Sequence, residues 1–274
     1  MLLEFRAKNY KSYKDELVFS MLPAPRQKGL DYSVLKQKIG TVTYKALCSA
    51  ILYGPNASGK TNIIGAMDTF KSIVLRGNIH NGIERDSPNA AASNAIMLGY
   101  AIDHSEAEAK LQSIFDRSGK GHGVAIPADV FESHGTFRFI NIFPLVISAI
   151  LNGGTLVVDE FDASIHPMAL MSITNIFHND EINVNKAQII FNTHNPIFLN
   201  SNLFRRDELK FTERDDETGY SVQYSLSDFG TSGENGIRKN EDYLKNYFVS
   251  QYGAIKDIDF TPIFESLFDG QKEL

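Results

Sequence analysis

The chain has 274 residues, 43% of them hydrophobic and 22% charged, enough for one large domain or two small ones around a sizeable core. Its formal net charge of −6 and pI near 5.7 argue against a chain dedicated to gripping nucleic acid, which would be more basic. A single cysteine, Cys48, excludes an intrachain disulfide framework and fits a reducing cytosol.

In chain order, residues 2–9 and 15–20 read as two short strands, a possible β-pair at the start. The same stretch carries charge throughout and lacks the cleavage pattern of a secretory leader. Residues 21–43 are polar and turn-rich and are assigned no element. Residues 46–54 (ALCSAILYG) form a continuous apolar run ending in Gly, which suits a strand buried on both faces of a mostly parallel sheet. From Asn62 onward Ile63, Met67, Phe70 and Val74 recur at helical spacing, with Gly77 as a C-terminal cap. Residues 78–95 read as loop, 105–115 as a short helix and 117–123 as a flexible connection. Residues 130–139 (VFESHGTFRF) lead into an apolar helix that ends at Gly153-Gly154, with Pro144 inside it predicting a kink or a restart. This is also the longest apolar run, and at residues 139–151 it is shorter than the roughly eighteen residues a membrane span needs. The chain therefore reads as cytoplasmic, with no membrane partner. A buried strand at 155–160, a helix near 168–178, a strand at 187–194 and two alternating strands near 208–214 and 219–226 complete the pass. Strands separated by helices predict an α/β fold with a parallel core sheet.

Between the strand at 46–54 and the helix after it runs Gly54-Pro55-Asn56-Ala57-Ser58-Gly59-Lys60-Thr61-Asn62. Gly-x-x-x-x-Gly-Lys-Thr is the phosphate-loop pattern. Its glycines let consecutive N–H groups face one concavity, and the helix that follows points its positive end there. Lys60 would neutralise β- and γ-phosphate charge, and the Thr61 hydroxyl would ligate Mg²⁺. Chance alone produces such a match in a chain of this length about 1% of the time. The second constellation is the strand end Asp159-Glu160, two carboxylates at the sheet edge where ligands bind in such folds. Asp159 would hold Mg²⁺, directly or through water, and Glu160 would orient or deprotonate an attacking water.

These residues resemble a known group. Residues 156–167 (LVVDEFDASIHP) are similar to the Walker B strand and D-loop of ABC-type ATPase heads, which include SMC-like and OLD-like proteins. The opening MLLEFRAKNYKSYKDELVFSM and the stretch IRKNEDYLKNYFVSQYGAI resemble one bacterial branch, the AAA family ATPases of the AAA_15/AAA_21 type, many of which sit in phage-defence or abortive-infection loci. The resemblance covers both ends and most of the second half, in matching motif order. It implies a P-loop NTPase of ABC-type head architecture, a mostly parallel core sheet with added antiparallel strands. It also makes residues 131–138 interpretable as a signature in which Ser133, Gly135 and Thr136 complete the ATP site of the other protomer. Asp162 and Ser164 fall in the D-loop, where His166-Pro167 shape the dimer contact, and His194 matches the switch histidine that senses γ-phosphate. The implied cofactors are ATP and Mg²⁺. The implied partners are a second copy, in a homodimer or higher homo-oligomer, and a separate effector such as a nuclease or toxin.

The sequence departs from the group in its middle. Only about seventy residues separate Thr61 from Phe131, so the arm of related chains is short or missing, and neither Gln112 nor Gln188 sits where a Q-loop glutamine belongs. The expected organisation is a single ATPase domain: a lobe over 1–100 with the phosphate loop, an insert at 101–130, and a lobe over 131–274 with the remaining motifs. His80, His104, His122 and His134 lack ligand spacing and predict no zinc site. Ser133 and Ser164 lack the arrangement for acyl transfer. Residues 213–217 (ERDDE) read as a hairpin turn and 239–245 as a solvated helix face. Two other readings stay open. One is a non-hydrolysing, nucleotide-dependent scaffold that sequesters a partner, and the other is an SMC-like DNA-repair ATPase, for which nucleic-acid binding is the deciding observation.

Overall fold

The computed structural model describes residues 1–25, 27, 29–76, 134–230, 236–238, 241–256, 259–262 and 264–265. The expected helix at 105–115, the insert at 101–130, the Gly77 cap and Ser133 lie outside the described residues. At the centre is a five-stranded sheet of β5 (Ser49–Tyr53), β6 (Thr155–Val158), β7 (Gln188–Asn192), β8 (Leu209–Arg214) and β9 (Ser221–Ser225). Its spatial order is β6-β7-β5-β8-β9, parallel except for β9, which returns antiparallel beside β8. The strand from the first part of the chain is thus the middle strand of a sheet otherwise built from the second part.

The sheet is buried on both faces, and the period-2 alternation of each strand sorts its side chains between two cores. Ile51, Tyr53, Leu156, Val158, Ile189, Phe191, Leu209 and Phe211 pack with α2 (His134–Asn152) and α3 (Pro167–His178). Ala50, Leu52 and Ile190 face the other way, against α1 (Lys60–Arg76) and the antiparallel pair β1 (Glu4–Ala7) and β2 (Leu17–Ser20). Phe161, Phe191 and Phe198 pack in series, tilted and then edge-to-face, with ring centroids 4.6 and 5.1 Å apart, and each fully buried ring contributes about 1.5–3 kcal/mol. Helix α2 continues past Pro144 as one element and stops at Gly153, whose φ of +66° and tight approach to the Asn185 carbonyl leave no room for a side chain. No helix among the described residues is long and apolar enough to cross a membrane.

Three expectations are corrected. The polar stretch before residue 46 holds a hairpin, β3 (Val34–Ile39) paired with β4 (Val42–Leu47) around a Gly40-Thr41 loop, with Gly40 at φ +61°. Its residues 36–45 are solvated, so no apolar alternation betrays it. The run 46–54 is accordingly not one strand: it is the end of β4 and, after Cys48, all of β5. Helix α4 (Tyr243–Phe248) is not wholly a solvated face either, since Tyr243 is buried. The turn over 213–217 is as expected, with Asp215 accepting from the N–H groups of Glu217 and Thr218.

Candidate functional site

All four parallel strands end at one edge of the sheet, and the loops leaving three of them carry the chemistry. The loop after β5 runs into α1, which begins at Lys60, so the positive end of that helix opens at the loop, with the Asn62 and Ile63 amides donating to the Gly59 carbonyl at 3.1 and 3.2 Å. Gly59 (φ +108°) is required by what lies behind it: a Cβ there would stand 2.7 Å from Ser221 Oγ and 3.0 Å from the Tyr13 hydroxyl. Residues 10–13 and β9 thus form the floor of the loop, tied to it by Asn62 Nδ2 donating to Ser12 Oγ at 2.7 Å and Ser221 Oγ to Ser12 Oγ at 2.8 Å. Beneath it, Ser58 Oγ lies 2.6 Å from Thr212 Oγ1 of β8. Pro55 is half-buried while Asn56 and Ala57 are exposed, Ala57 at φ +63°. Gly59→Ala is expected to cost about 1–3 kcal/mol in a thermal melt through backbone strain, and to weaken nucleotide binding in calorimetry by opening the loop.

Lys60 is buried and donates to the carbonyls of Gly54 (2.7 Å) and Pro55 (2.9 Å), curling over its own loop. Burial pushes its ammonium down to about 8, although Asp159, Asp162 and Glu160 all act to raise it. Thr61 Oγ1 donates to Asp159 Oδ1 at 3.2 Å. Two hard oxygens at that separation are spaced as neighbouring ligands on one small divalent cation, whose ligand bonds of about 2.0–2.1 Å put adjacent oxygens about 3 Å apart. Thr61 and Asp159 therefore fit Mg²⁺. Burial pushes the Asp159 carboxyl up, opposed by hydrogen bonds from Asn192 and Thr61.

Glu160 is exposed and sits in the left-handed region at φ +50°. Its turn is held from two sides. Asn192, buried at the end of β7, accepts the Glu160 N–H on Oδ1 and donates through Nδ2 to Asp159 Oδ1. Arg138 of α2 donates through Nη2 to the carbonyls of Asp159 (3.2 Å) and Glu160 (2.5 Å). Two residues on, Asp162 Oδ2 accepts the His194 N–H at 3.0 Å, linking this turn to the loop after β7. Burial and then the Lys60 charge lower the His194 imidazole, against Asp162 and Glu160, which favours its neutral form. Ser164 is exposed at φ +62°, and His166 caps α3 through Nδ1, accepting the Met168 N–H at 3.2 Å.

The sheet thus brings together the loop of residues 54–62 with Asp159, Glu160, Asp162 and His194. Gly135 and Thr136 lie in the first turn of α2, one turn before Arg138, with Thr136 exposed. Asn192 and Arg138 are missing from the sequence-level candidates. Asn192 lies two residues before the expected switch histidine, and Arg138 closes the stretch quoted for the signature. Neither amide nor guanidinium carries a signal until the fold shows what it touches.

At the opposite edge lies a second polar cluster. Glu208 Oε1 accepts from Ser49 Oγ at 2.6 Å and stands 3.1 Å from His178 Nε2 and 3.9 Å from Cys48 Sγ, all of them buried. Glu208 Oε2 accepts the Arg205 N–H at 2.8 Å. The donor atoms of Cys48, His178 and Glu208 lie within 4.8 Å of one another. They are already joined by hydrogen bonds, which pin the end of α3 to β5 and to the start of β8.

Residues 76–200 match the family model described as an AAA domain, putative AbiEii toxin of a type IV toxin–antitoxin system. The match takes in α2, Asp159, Glu160 and His194, while the phosphate loop lies before it and stands on its own geometry. No curated protein matches the chain. With a phosphate loop leaving the middle strand of a mostly parallel sheet and a stretch similar to this AAA domain following it, the chain has the fold of a P-loop NTPase.

Proposed function

We propose that the chain binds ATP–Mg²⁺ and hydrolyses it as one half of an ABC-type, head-to-head homodimer. The observation that carries this reading is the convergence of Lys60, the Thr61–Asp159 pair, Glu160 and His194 on one sheet edge. On it, Lys60 and the amides of residues 56–61 take the β- and γ-phosphates, and Thr61 and Asp159 hold Mg²⁺. Glu160 orients or deprotonates the attacking water, and His194 hydrogen-bonds the γ-phosphate. Gly135 and Thr136, with Ser133 before them, serve the nucleotide of the second copy. Asp162 and the exposed Ser164 lie at the contact between copies. Two shared γ-phosphates favour the closed dimer, and hydrolysis releases it.

The biological setting we infer is bacterial anti-phage defence, with the ATP state of this chain governing a separate effector, a nuclease or toxin. It is supported by the family's description as a putative toxin of a type IV toxin–antitoxin system. The test is Glu160→Gln. With saturating ATP and Mg²⁺ this variant is expected to run as a persistent dimer by light scattering and to lose about 10²–10³-fold in kcat. A monomer under those conditions, or turnover at the wild-type rate, overturns the reading.

A further inference from the structure

The turn that carries Glu160 is strained. A glutamate at φ +50° costs of order 1 kcal/mol or more and persists only where its surroundings over-determine it. Asn192 holds the turn from the sheet, and its position is set by β7. Arg138 holds it from α2, and its Nη2 bonds to two successive carbonyls, those of Asp159 and Glu160, bracket the strained residue itself. The same side chain has a cost: Arg138 Nε is buried and has no hydrogen-bond partner among the described residues. A residue selected for stability would not leave a guanidinium nitrogen so placed, since an apolar side chain of similar shape would avoid the penalty.

We propose that Arg138 is a positioning residue, tying the first turn of α2 to the backbone of Glu160 so that the placement of that helix start decides where the Glu160 carboxylate points. This rests on the reading of Glu160 as the residue that activates water. Gly135 and Thr136 sit one turn before Arg138, so whatever engages the start of α2 moves the same lever. The tie runs through backbone carbonyls, so it governs the turn's conformation and leaves Lys60 and Thr61 untouched. Its loss falls on kcat and spares nucleotide affinity.

The experiment compares Arg138→Met, Arg138→Lys and Arg138→Ala with the wild-type chain and with Glu160→Gln. Arg138→Met is expected to keep or raise the melting temperature and to hold ATP affinity within about threefold, while kcat falls about 10–100-fold. Arg138→Lys, whose ammonium reaches one carbonyl, recovers part of the loss. Millimolar guanidinium ion recovers part of it in Arg138→Ala, an effect that lost packing alone would not give. Wild-type kcat in a folded Arg138→Met, with Glu160→Gln inactive, overturns this inference alone. Wild-type turnover in Glu160→Gln overturns the reading of Glu160 beneath it, and this inference with it.

Discussion

Lys60→Ala is expected to lose at least about 30-fold in ATP affinity by calorimetry while the melting temperature holds or rises. The two halves of that result have one cause. Lys60 is buried against its own loop and beside three carboxylates, yet burial still outweighs them and pushes the ammonium down to about 8. The folded chain therefore disfavours the charge it carries at neutral pH, and removing the side chain removes that penalty. The two carbonyls it satisfies, those of Gly54 and Pro55, lie on the loop where water can replace it. A triphosphate reverses the balance, because its charge repays the desolvation that Asp159, Asp162 and Glu160 do not. Truncating one partner of such a charged pair costs about 2–5 kcal/mol, hence the expected loss.

The same shift fixes the sign of a pH dependence in the wild-type chain. A lysine whose value is lowered to about 8 is protonated below that pH and neutral above it. Phosphate binding needs the protonated form, so affinity is flat from pH 6.5 to 7.5 and falls toward tenfold per pH unit above about 8. Affinity that stays constant to pH 9.5 would mean that the Lys60 ammonium keeps its ordinary value, and a Lys60→Ala chain that binds ATP like the wild type would remove Lys60 from the site.

Much of the fold and the edge where the chemistry gathers was legible in the sequence because both rest on local signals. The phosphate loop is a spacing rule, and β6 with Asp159-Glu160 is an apolar run ending in charge, so each declares itself within a dozen residues. The β3–β4 hairpin escaped because a solvated hairpin buries almost nothing and needs no alternation. Strand order escaped for another reason: nothing in residues 49–53 says that β5 will stand between β7 and β8. Yet that order brings Asn192 within reach of Asp159, and the docking of α2 brings Arg138 to the same turn. The residues that do chemistry carry type and spacing, while the residues that hold them are ordinary until the topology is known. The buried set of Cys48, His178 and Glu208 makes the same point, since its members are 130 and 30 residues apart in sequence and meet only across the sheet.

Asn192 supplies the last expectation. Asn192→Ala removes two bonds at once, the amide donor on Asp159 Oδ1 and the acceptor of the Glu160 N–H. The Glu160 turn is exposed, so water can satisfy the freed N–H and the fold loses only about 1 kcal/mol. Function is expected to lose far more. An unsteered Asp159 raises the half-saturating Mg²⁺ concentration about 10–100-fold, and a displaced Glu160 lowers kcat by about 10² even at saturating Mg²⁺. Asn192→Asp separates the two effects. It keeps an acceptor for the Glu160 N–H but sets a second carboxylate against Asp159, where like charge pushes that carboxyl further up. Its Mg²⁺ requirement should therefore rise as in the alanine variant, while kcat at saturating Mg²⁺ stays close to wild type. Equal kcat losses in the two variants would mean that Asn192 acts through Asp159 alone, and that Glu160 is held in its turn by Arg138 without help from the sheet.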